Sequence, residues 1–445
     1  MTAIAELLEI GNELHARCLI KEAKWQFETA TSSGFGQDDM TLSPTHHYTA
    51  RFFFSRTLLE SKEYQRCYNY LDNHEDLDDD DLSLFLLYYA RYLAGEKRRF
   101  EKESEMTGND DGVPLNEVAN QELPALESAL KDLRTEDVFL QYLLAVILDE
   151  QGKDDEAAGM FINVIYQLPG FWHAWAGLLR SSSAANVAEV LGAIGITGEP
   201  SEVADHPMCS LFLLHLYHRL GALAGCDVAV ELLASNAKAA YGDATCIAHI
   251  IAQHAFNEQD YARTEQLFGH IAARDPHCLD QHALLSTSLF SHDELPALTK
   301  LAHQASLTNP MSAETACVVG NYHSAARRHG QSIKSLVRAV TLDRRCGAAW
   351  VLLGHEFIAT KRVALAIECY RRALRANQSD WMALKSIGHA YDLLQLSTQA
   401  IFFYTEALKV RPSDGVTRAA LADAYERLGH DSEAQQHRAM TKGLH

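Results

Sequence analysis

Six side chains towards the C-terminal end carry the chemistry this chain could offer a partner: Asn321, His355, His389, Asp392, Asp423 and Glu426. An asparagine amide can bond a peptide backbone, and carboxylates can hold a guanidinium in bidentate fashion. Such a set suits the binding of a basic peptide better than a reaction. Asn321 is the strongest of the six, because an asparagine mid-helix forgoes helix propensity without an obvious packing reward. His355 and His389 read as packing or capping histidines rather than acid–base groups. Asp392, Asp423 and Glu426 also fit the plainer reading of solubilising acids on exposed helical faces, with Lys385 and Arg427 close enough in sequence to neutralise some of them.

Catalytic signals are missing. There is no Gly-rich phosphate loop, nucleophile elbow, zinc signature or paired-carboxylate motif, so no catalytic residue, cofactor or metal site is assigned and the chain reads as a non-enzyme. Five aspartates crowd positions 76–81, but they lack the glycine and glutamate of a calcium loop and read as a solvated connector.

What places the six residues together is a repeat. Ser286, Gly320, Gly354, Gly388 and Ala422 recur every 34 residues. The clearest copy has Trp350, Leu353, Gly354 and Phe357, then Ala366, Tyr370 and Ala373, which is the tetratricopeptide (TPR) spacing. Spacings of three and four put the first group on one side of a first helix and the second group on one side of a second. The small residue lets the two backbones approach, and Tyr322, Trp350, Trp381 and Tyr404 read as core or inter-repeat packing. Such a helix pair buries its apolar faces only by stacking on its neighbours. The expected fold is all-α: a TPR α-solenoid, a right-handed superhelix of antiparallel helix pairs. The six candidate residues lie about a third of a turn from the packing face of the first helices, on the concave side.

The same pattern extends towards the N-terminus. Ile10, Gly11 and Leu14 with Ala23, Phe27 and Ala30 form a copy, followed by a loop from Gly34 to Ser43 and a pair marked by Ser55, Leu58, Cys67 and Leu71. Leu144, Ala145, Leu148, Ala157, Phe161, Val164 and Pro169 form another, and Trp175 and Leu178 open the next. The pattern blurs from Ser181 to Pro207, passes through a degenerate pair around Leu214, Tyr217, Cys226 and Val230, and regains its frame at Ala252, Thr264, Phe268 and Pro276. Pro276 to Pro310 is one period, and Pro169 to Pro276 is three periods plus five residues, so one continuous superhelix is expected. The resulting organisation is 1–100, N-terminal repeats; 101–122, a polar insert read as disordered; 123–284, central, partly degenerate repeats; and 285–445, regular repeats bearing the groove. Asp431 to His445 reads as a polar cap.

Charge limits the partners. A net charge of -20 over 445 residues argues against a nucleic-acid backbone or an anionic membrane, and favours basic peptides. No segment approaches the roughly 20 apolar residues of a membrane span. Nine cysteines, with no C-x2-C pair, read as reduced core thiols, which suits the nucleus and cytoplasm.

Specific stretches resemble a known family. Phe85 to Lys97, Val138 to Trp175, and above all Glu314 to Tyr322 (ETACVVGNY) with Ala348 to Phe357 (AAWVLLGHEF) are similar to the cell division cycle protein 23 (subunit eight) family of TPR subunits of the anaphase-promoting complex/cyclosome. The resemblance implies a non-catalytic scaffold of a multisubunit E3 ubiquitin ligase controlling mitotic progression. It also implies a homodimer through the N-terminal repeats, contacts with other subunits of the complex, and a C-terminal groove that receives an arginine-containing coactivator segment. Two departures stand out. The chain ends at His445, where family members carry further repeats, and His323 takes a position that is usually aromatic. The alternative is a TPR co-chaperone or other adaptor binding a different peptide tail. A clamp for acidic tails needs lysine and arginine on the concave face, and the six candidate residues include three acids and no lysine or arginine.

Overall fold

Close approach at one repeat position sets the architecture. In the computed structural model, a Cβ added to Gly388 would stand 2.6 Å from the ring of Tyr404, one added to Gly320 would stand 2.7 Å from the Leu336 side chain, and one added to Gly11 would stand 2.7 Å from the ring of Phe27. In each case the partner lies sixteen residues further on, on the second helix of the pair. Where the repeat carries a Cβ instead, at Ser286 and Ala422, the residue sixteen further on is Ala302 or Arg438 rather than a large apolar side chain.

The structure describes residues 3–32, 50–73, 81–105, 113, 118–133, 136–182, 186–197, 201–220, 245–257, 260–378, 380–412 and 414–442, with scattered positions between 233 and 242. These form helices and turns, with no strand among them. The loop expected from Gly34 to Ser43, most of the acidic run 76–81, and Cys226 and Val230 lie outside the described residues. The chain divides into two compact units, 1–107 with 116–182, and 108–115 with 183–445. The division falls where the repeat pattern blurs.

In the first unit, α1 (Ala3–Ala16) pairs with α2 (Ile20–Ser32) and α3 (Ala50–Glu60) with α4 (Tyr64–Asp72). Ala23, Phe27, Phe54, Leu58, Cys67, Leu71 and Ala90 form their shared core. The long α5 (Asp81–Glu105) packs on α4, and runs past residue 101, where the polar insert was expected to start. Residues 106–112 and 114–117 of that insert lie outside the described residues. Its far end is tied to α5: Asn120 donates to Glu96 at 2.9 Å, and Glu122 takes Arg91 at 2.9 Å and Arg98 at 3.0 Å. There follow α6 (Leu123–Leu133), α7 (Val138–Glu150) paired with α8 (Asp154–Gln167), and α9 (Trp172–Ser181).

The second unit holds α10 (Val187–Ile194) and α11 (Pro207–Leu220), then six pairs. These are α12 (Thr245–Asn257) with α13 (Tyr261–Arg274), α14 (His282–Ser291) with α15 (Leu295–Thr308), and α16 (Ala313–Ala325) with α17 (His329–Leu342). Then come α18 (Gly347–Ala359) with α19 (Val363–Ala376), α20 (Trp381–Leu393) with α21 (Ser397–Val410), and α22 (Gly415–Arg427) with α23 (Asp431–Lys442). Trp350, Leu353, Phe357, Ala366, Tyr370 and Ala373 are all at most 1% exposed, in one cluster that also takes in Val113. The Trp350 indole N–H donates to the Arg344 carbonyl at 2.8 Å, and Trp175 in the first unit does the same to Pro169 at 2.8 Å, so each ring's polar edge is satisfied by the chain six residues before it. Asp380 and Asp414 start α20 and α22 by accepting the N–H groups of Met382 (2.9 Å) and Val416 (3.1 Å).

In five of the six pairs of the second unit the chain makes one left-handed residue between the two helices: Asp293, Arg327, Lys361, Gln395 and Gly429, with φ of 59°, 59°, 64°, 61° and 79°, at intervals of 34. In the six pairs of the second unit each first helix touches the next first helix, and each second helix packs against the first helix that follows it. The first helices of that unit therefore form one continuous face, the inner side of a solenoid.

Candidate peptide-binding face

One repeat position runs along that face as a ladder: Thr287 on α14, Asn321 on α16, His355 on α18, His389 on α20 and Asp423 on α22, each 34 residues from the last. The structure separates the six predicted residues into three groups along it.

Asn321 is only 4% exposed. Its Nδ2 donates to Ser286 Oγ at 2.8 Å and Thr287 Oγ1 at 3.2 Å, so both amide hydrogens tie α16 to α14. That is the packing reward the sequence did not show, since Ser286 and Thr287 lie 35 and 34 residues away. The amide oxygen is the atom left to accept a bond. Two turns earlier, Glu314 accepts the Ala283 N–H at 2.7 Å; its carboxyl pKa is raised by burial, against that hydrogen bond, with Asp280 and Asp343 adding to the rise.

His355 and His389 both open to solvent. His355 lies 3.1 Å from Ser386 Oγ and edge-on to Tyr370, with ring centroids 5.7 Å apart. Desolvation by the surrounding walls, helped by His389 and Lys385, pushes its pKa down to about 4. At neutral pH it is an uncharged imidazole. Lys385 does not neutralise a predicted groove acid; it reaches Asp414 at 3.3 Å and lies over the Trp381 ring. Burial works against the Asp414 carboxylate, but the Thr417 hydroxyl and Lys385 hold its pKa below the usual range.

The three acids are engaged by arginines of the same chain. Asp392 takes Arg427 Nη2 at 2.7 Å and the Tyr404 hydroxyl at 3.2 Å. Asp423 and Glu426 share Arg438, at 2.9 and 2.5 Å. Arg427 was visible in the sequence as a neighbouring cation, whereas Arg438 was not. It occupies the repeat position of Tyr370 and Tyr404, so in the last pair a guanidinium replaces the phenol. These arginines are 39% and 48% exposed, and ion pairs so open to water contribute only about 0–1 kcal/mol each, so a competing guanidinium could take their place. Ser386, Tyr370, Ser286 and Arg438 are the members of this face that residue types alone did not reveal.

The family profile described as Anaphase promoting complex subunit 8 / Cdc23 matches residues 36–223, and a tetratricopeptide repeat profile matches 347–380 and 386–414. The first covers Phe85 to Lys97 and Val138 to Trp175 and stops short of the ETACVVGNY stretch. Anaphase-promoting complex subunit 8 of Arabidopsis thaliana is 28% identical over 313 residues, covering 70% of this chain and 50% of that protein. The subunit 8 of Dictyostelium discoideum is 26% identical, covering 81% of this chain and 69% of its own length. The cell division cycle protein 23 homolog of Caenorhabditis elegans is 29% identical, covering 74% and 47%. The chain thus spans about half the length of the Arabidopsis and Caenorhabditis relatives. A chain in the crystal structure of the APC/C hetero-tetramer Cut9-Hcn1 superposes with a TM-score of 0.71 over 100% of this chain and 79% of its own length; at 16% identity that likeness concerns the fold. Family profile, relatives and helix-pair architecture point the same way: the chain is similar to the subunit 8/Cdc23 family of anaphase-promoting complex TPR proteins.

Proposed function

We propose that this chain is a non-catalytic TPR scaffold of the anaphase-promoting complex/cyclosome, in nucleus and cytoplasm. It holds other subunits of that ligase and receives an arginine-containing coactivator segment on the inner face of its C-terminal repeats. Similarity to the subunit 8/Cdc23 family supports the scaffold role. The observation that carries the groove is Asp392: its carboxylate sits beside the Tyr404 hydroxyl and is held by an exposed guanidinium, that of Arg427. A ligand arginine can make the same charge-assisted contact and needs only to displace a weak surface pair.

The ladder beside it supplies hydrogen-bonding partners for a peptide backbone: the Asn321 oxygen, the uncharged His355 imidazole and the His389 ring. A homodimer through the N-terminal repeats fits the exposure of Trp25, 61% on α2, a large ring that a second copy would cover. Light scattering of the purified chain then reads a dimer, and Trp25→Glu shifts it towards monomer.

Two experiments test the whole. Affinity purification of the tagged chain should recover other ligase subunits, and their absence overturns the scaffold reading. Fluorescence anisotropy should show tighter binding of an arginine-bearing coactivator peptide than of an acidic chaperone-tail peptide. Asp392→Ala should weaken the former by about 1.5–3 kcal/mol, the worth of a charge-assisted bond. Tighter binding of the acidic peptide favours the co-chaperone reading, for which the His355, Lys385 and His389 nitrogens would be the anchor.

A further inference from the structure

The two most exposed large apolar side chains among the described residues lie four positions apart: Leu307, 73% exposed near the end of α15, and Met311, 68% exposed in the turn that follows. Arg338 of α17 reaches this turn, where its Nη2 donates to the Pro310 carbonyl at 3.0 Å and touches the Met311 sulfur. One repeat earlier the same position is Gln304, which donates to the Pro276 carbonyl at 2.9 Å. A glutamine amide has two N–H donors to give, whereas a guanidinium has five and keeps most of them for other acceptors. Leu342, four residues after Arg338, is 39% exposed and extends the apolar band onto α17.

Cations form a second band beside the first. Lys300 on α15 and Lys334 on α17 are exposed and share one repeat position. Among the second helices of this unit, α15 and α17 alone contain no acidic residue. Lys300, Lys334 and Arg338 have no carboxylate partner among the described residues. Asp343, just past the end of α17, turns its carboxylate to the Arg345 N–H at 2.9 Å. The cationic band stops at α19, where the position of Lys334 is taken by Glu368, which pairs with Arg372 at 3.5 Å. The seven residues from Lys300 to Leu307 rise about 10 Å along α15, the width of one helix with its side chains.

We propose that this outer strip of α15 and α17 is a docking surface for an acidic amphipathic helix of a partner protein. The helix lies across α15 and α17, with its apolar side on Leu307, Met311 and Leu342 and its carboxylates towards Lys300, Lys334 and Arg338. Charge selects this occupant. With 59 acids against 39 lysines and arginines, the chain as a whole repels an acidic segment, and a local group of three unpaired cations steers one to this strip. The Arg338 fork is already held by the Pro310 carbonyl, so a carboxylate meets donors fixed in place. The strip is on second helices, apart from the inner face that carries Asn321 and Asp392, and takes a ligand of the opposite charge.

Fluorescence anisotropy of the full chain tests this with a labelled peptide of about 15 residues that carries leucines on one helical side and glutamates on the other. It should bind roughly tenfold tighter than the same peptide with every glutamate changed to lysine, or with every leucine changed to serine. Arg338→Glu and Leu307→Ser, both surface changes, should each remove most of that margin, and added salt should weaken binding. Asp392→Ala should leave the acidic peptide's affinity unchanged, and Arg338→Glu should leave that of the arginine-bearing peptide unchanged, so the two faces can fail separately. Equal binding of the lysine peptide overturns the proposal. So does binding that survives Arg338→Glu but is lost in Lys385→Ala, which puts the acidic peptide on the inner face. A lower mass by light scattering in Leu307→Ser also overturns it, because the strip would then be a contact between copies of this chain.

Discussion

Gly354 lies so close beneath Tyr370 that a Cβ on it would stand 2.3 Å from ring atom Cε1 and 2.7 Å from Cζ. The ring is 1% exposed and cannot swing into solvent. Gly354→Ala gains about 1 kcal/mol of helix propensity, but overpacking a filled core costs about 1–3 kcal/mol. The expected outcome is a lower denaturant midpoint for the C-terminal unit with an unchanged slope. A raised midpoint would mean that the ring has room to retreat.

The left-handed turn between paired helices makes a second prediction. Lys361 adopts φ 64° at a position where the last copy has Gly429 at φ 79°. A non-glycine residue there gives up about 1–2 kcal/mol, and glycine recovers most of that at an entropic cost of about 0.5–1 kcal/mol. Lys361→Gly should therefore stabilise the unit by up to about 1 kcal/mol, while β-branched Lys361→Val should destabilise it. Chemical denaturation of the three proteins reads both signs.

These two positions mark the limit of what the sequence could reveal. Gly354 and Tyr370 were legible because packing restricts side-chain type, and the restriction returns every 34 residues. Asp293, Arg327, Lys361 and Gln395 share a backbone shape with no shared chemistry, since helix packing imposes the turn whatever side chain is there. The candidate face was legible as a set of polar residues on one side of the first helices. Its pairings were not. Asp423 and Glu426 are satisfied by an arginine on the following helix, and Asn321 by hydroxyls a full repeat away, contacts made only once the repeats stack.

His355 gives a pH dependence. Its pKa is lowered from 6.5 to about 4 by desolvation first, then by His389 and Lys385. Above pH 6.5 the folded and unfolded chains both hold it neutral. Between 6.5 and 4 the unfolded chain binds a proton that the folded chain does not, so stability rises with pH across that window and is lost as pH falls. His355→Gln keeps a hydrogen-bonding side chain near Ser386 without the titration. Its melting temperature should vary less between pH 6.5 and 4 than that of the wild type; parallel curves would show that His355 titrates normally.

Arg427 and Asp392 predict opposite effects on peptide binding. Removing Arg427 exposes the Asp392 carboxylate without touching Tyr404, so Arg427→Ala should tighten an arginine-bearing peptide by the worth of the displaced pair, about 0–1 kcal/mol. Asp392→Ala should weaken it, and the double variant should resemble Asp392→Ala alone. Loss of affinity in Arg427→Ala would place the ligand arginine elsewhere on the face.

Asn321 separates a structural role from a binding one. Its two donors hold Ser286 and Thr287, so Asn321→Asp turns two favourable contacts into acceptor–acceptor contacts wherever those hydroxyls cannot rotate to donate, in a site that is 4% exposed. Each lost bond is worth about 0.5–1.5 kcal/mol, and burying an unpaired carboxylate adds to the cost. Asn321→Ala forfeits the same two bonds without the charge, and so should destabilise less than Asn321→Asp. If the amide oxygen also receives a peptide N–H, Asn321→Ala weakens peptide binding under conditions where the variant is fully folded. If affinity in the folded variant matches wild type, Asn321 serves only to lock α16 against α14, and peptide recognition rests on the His355 to Asp423 part of the ladder.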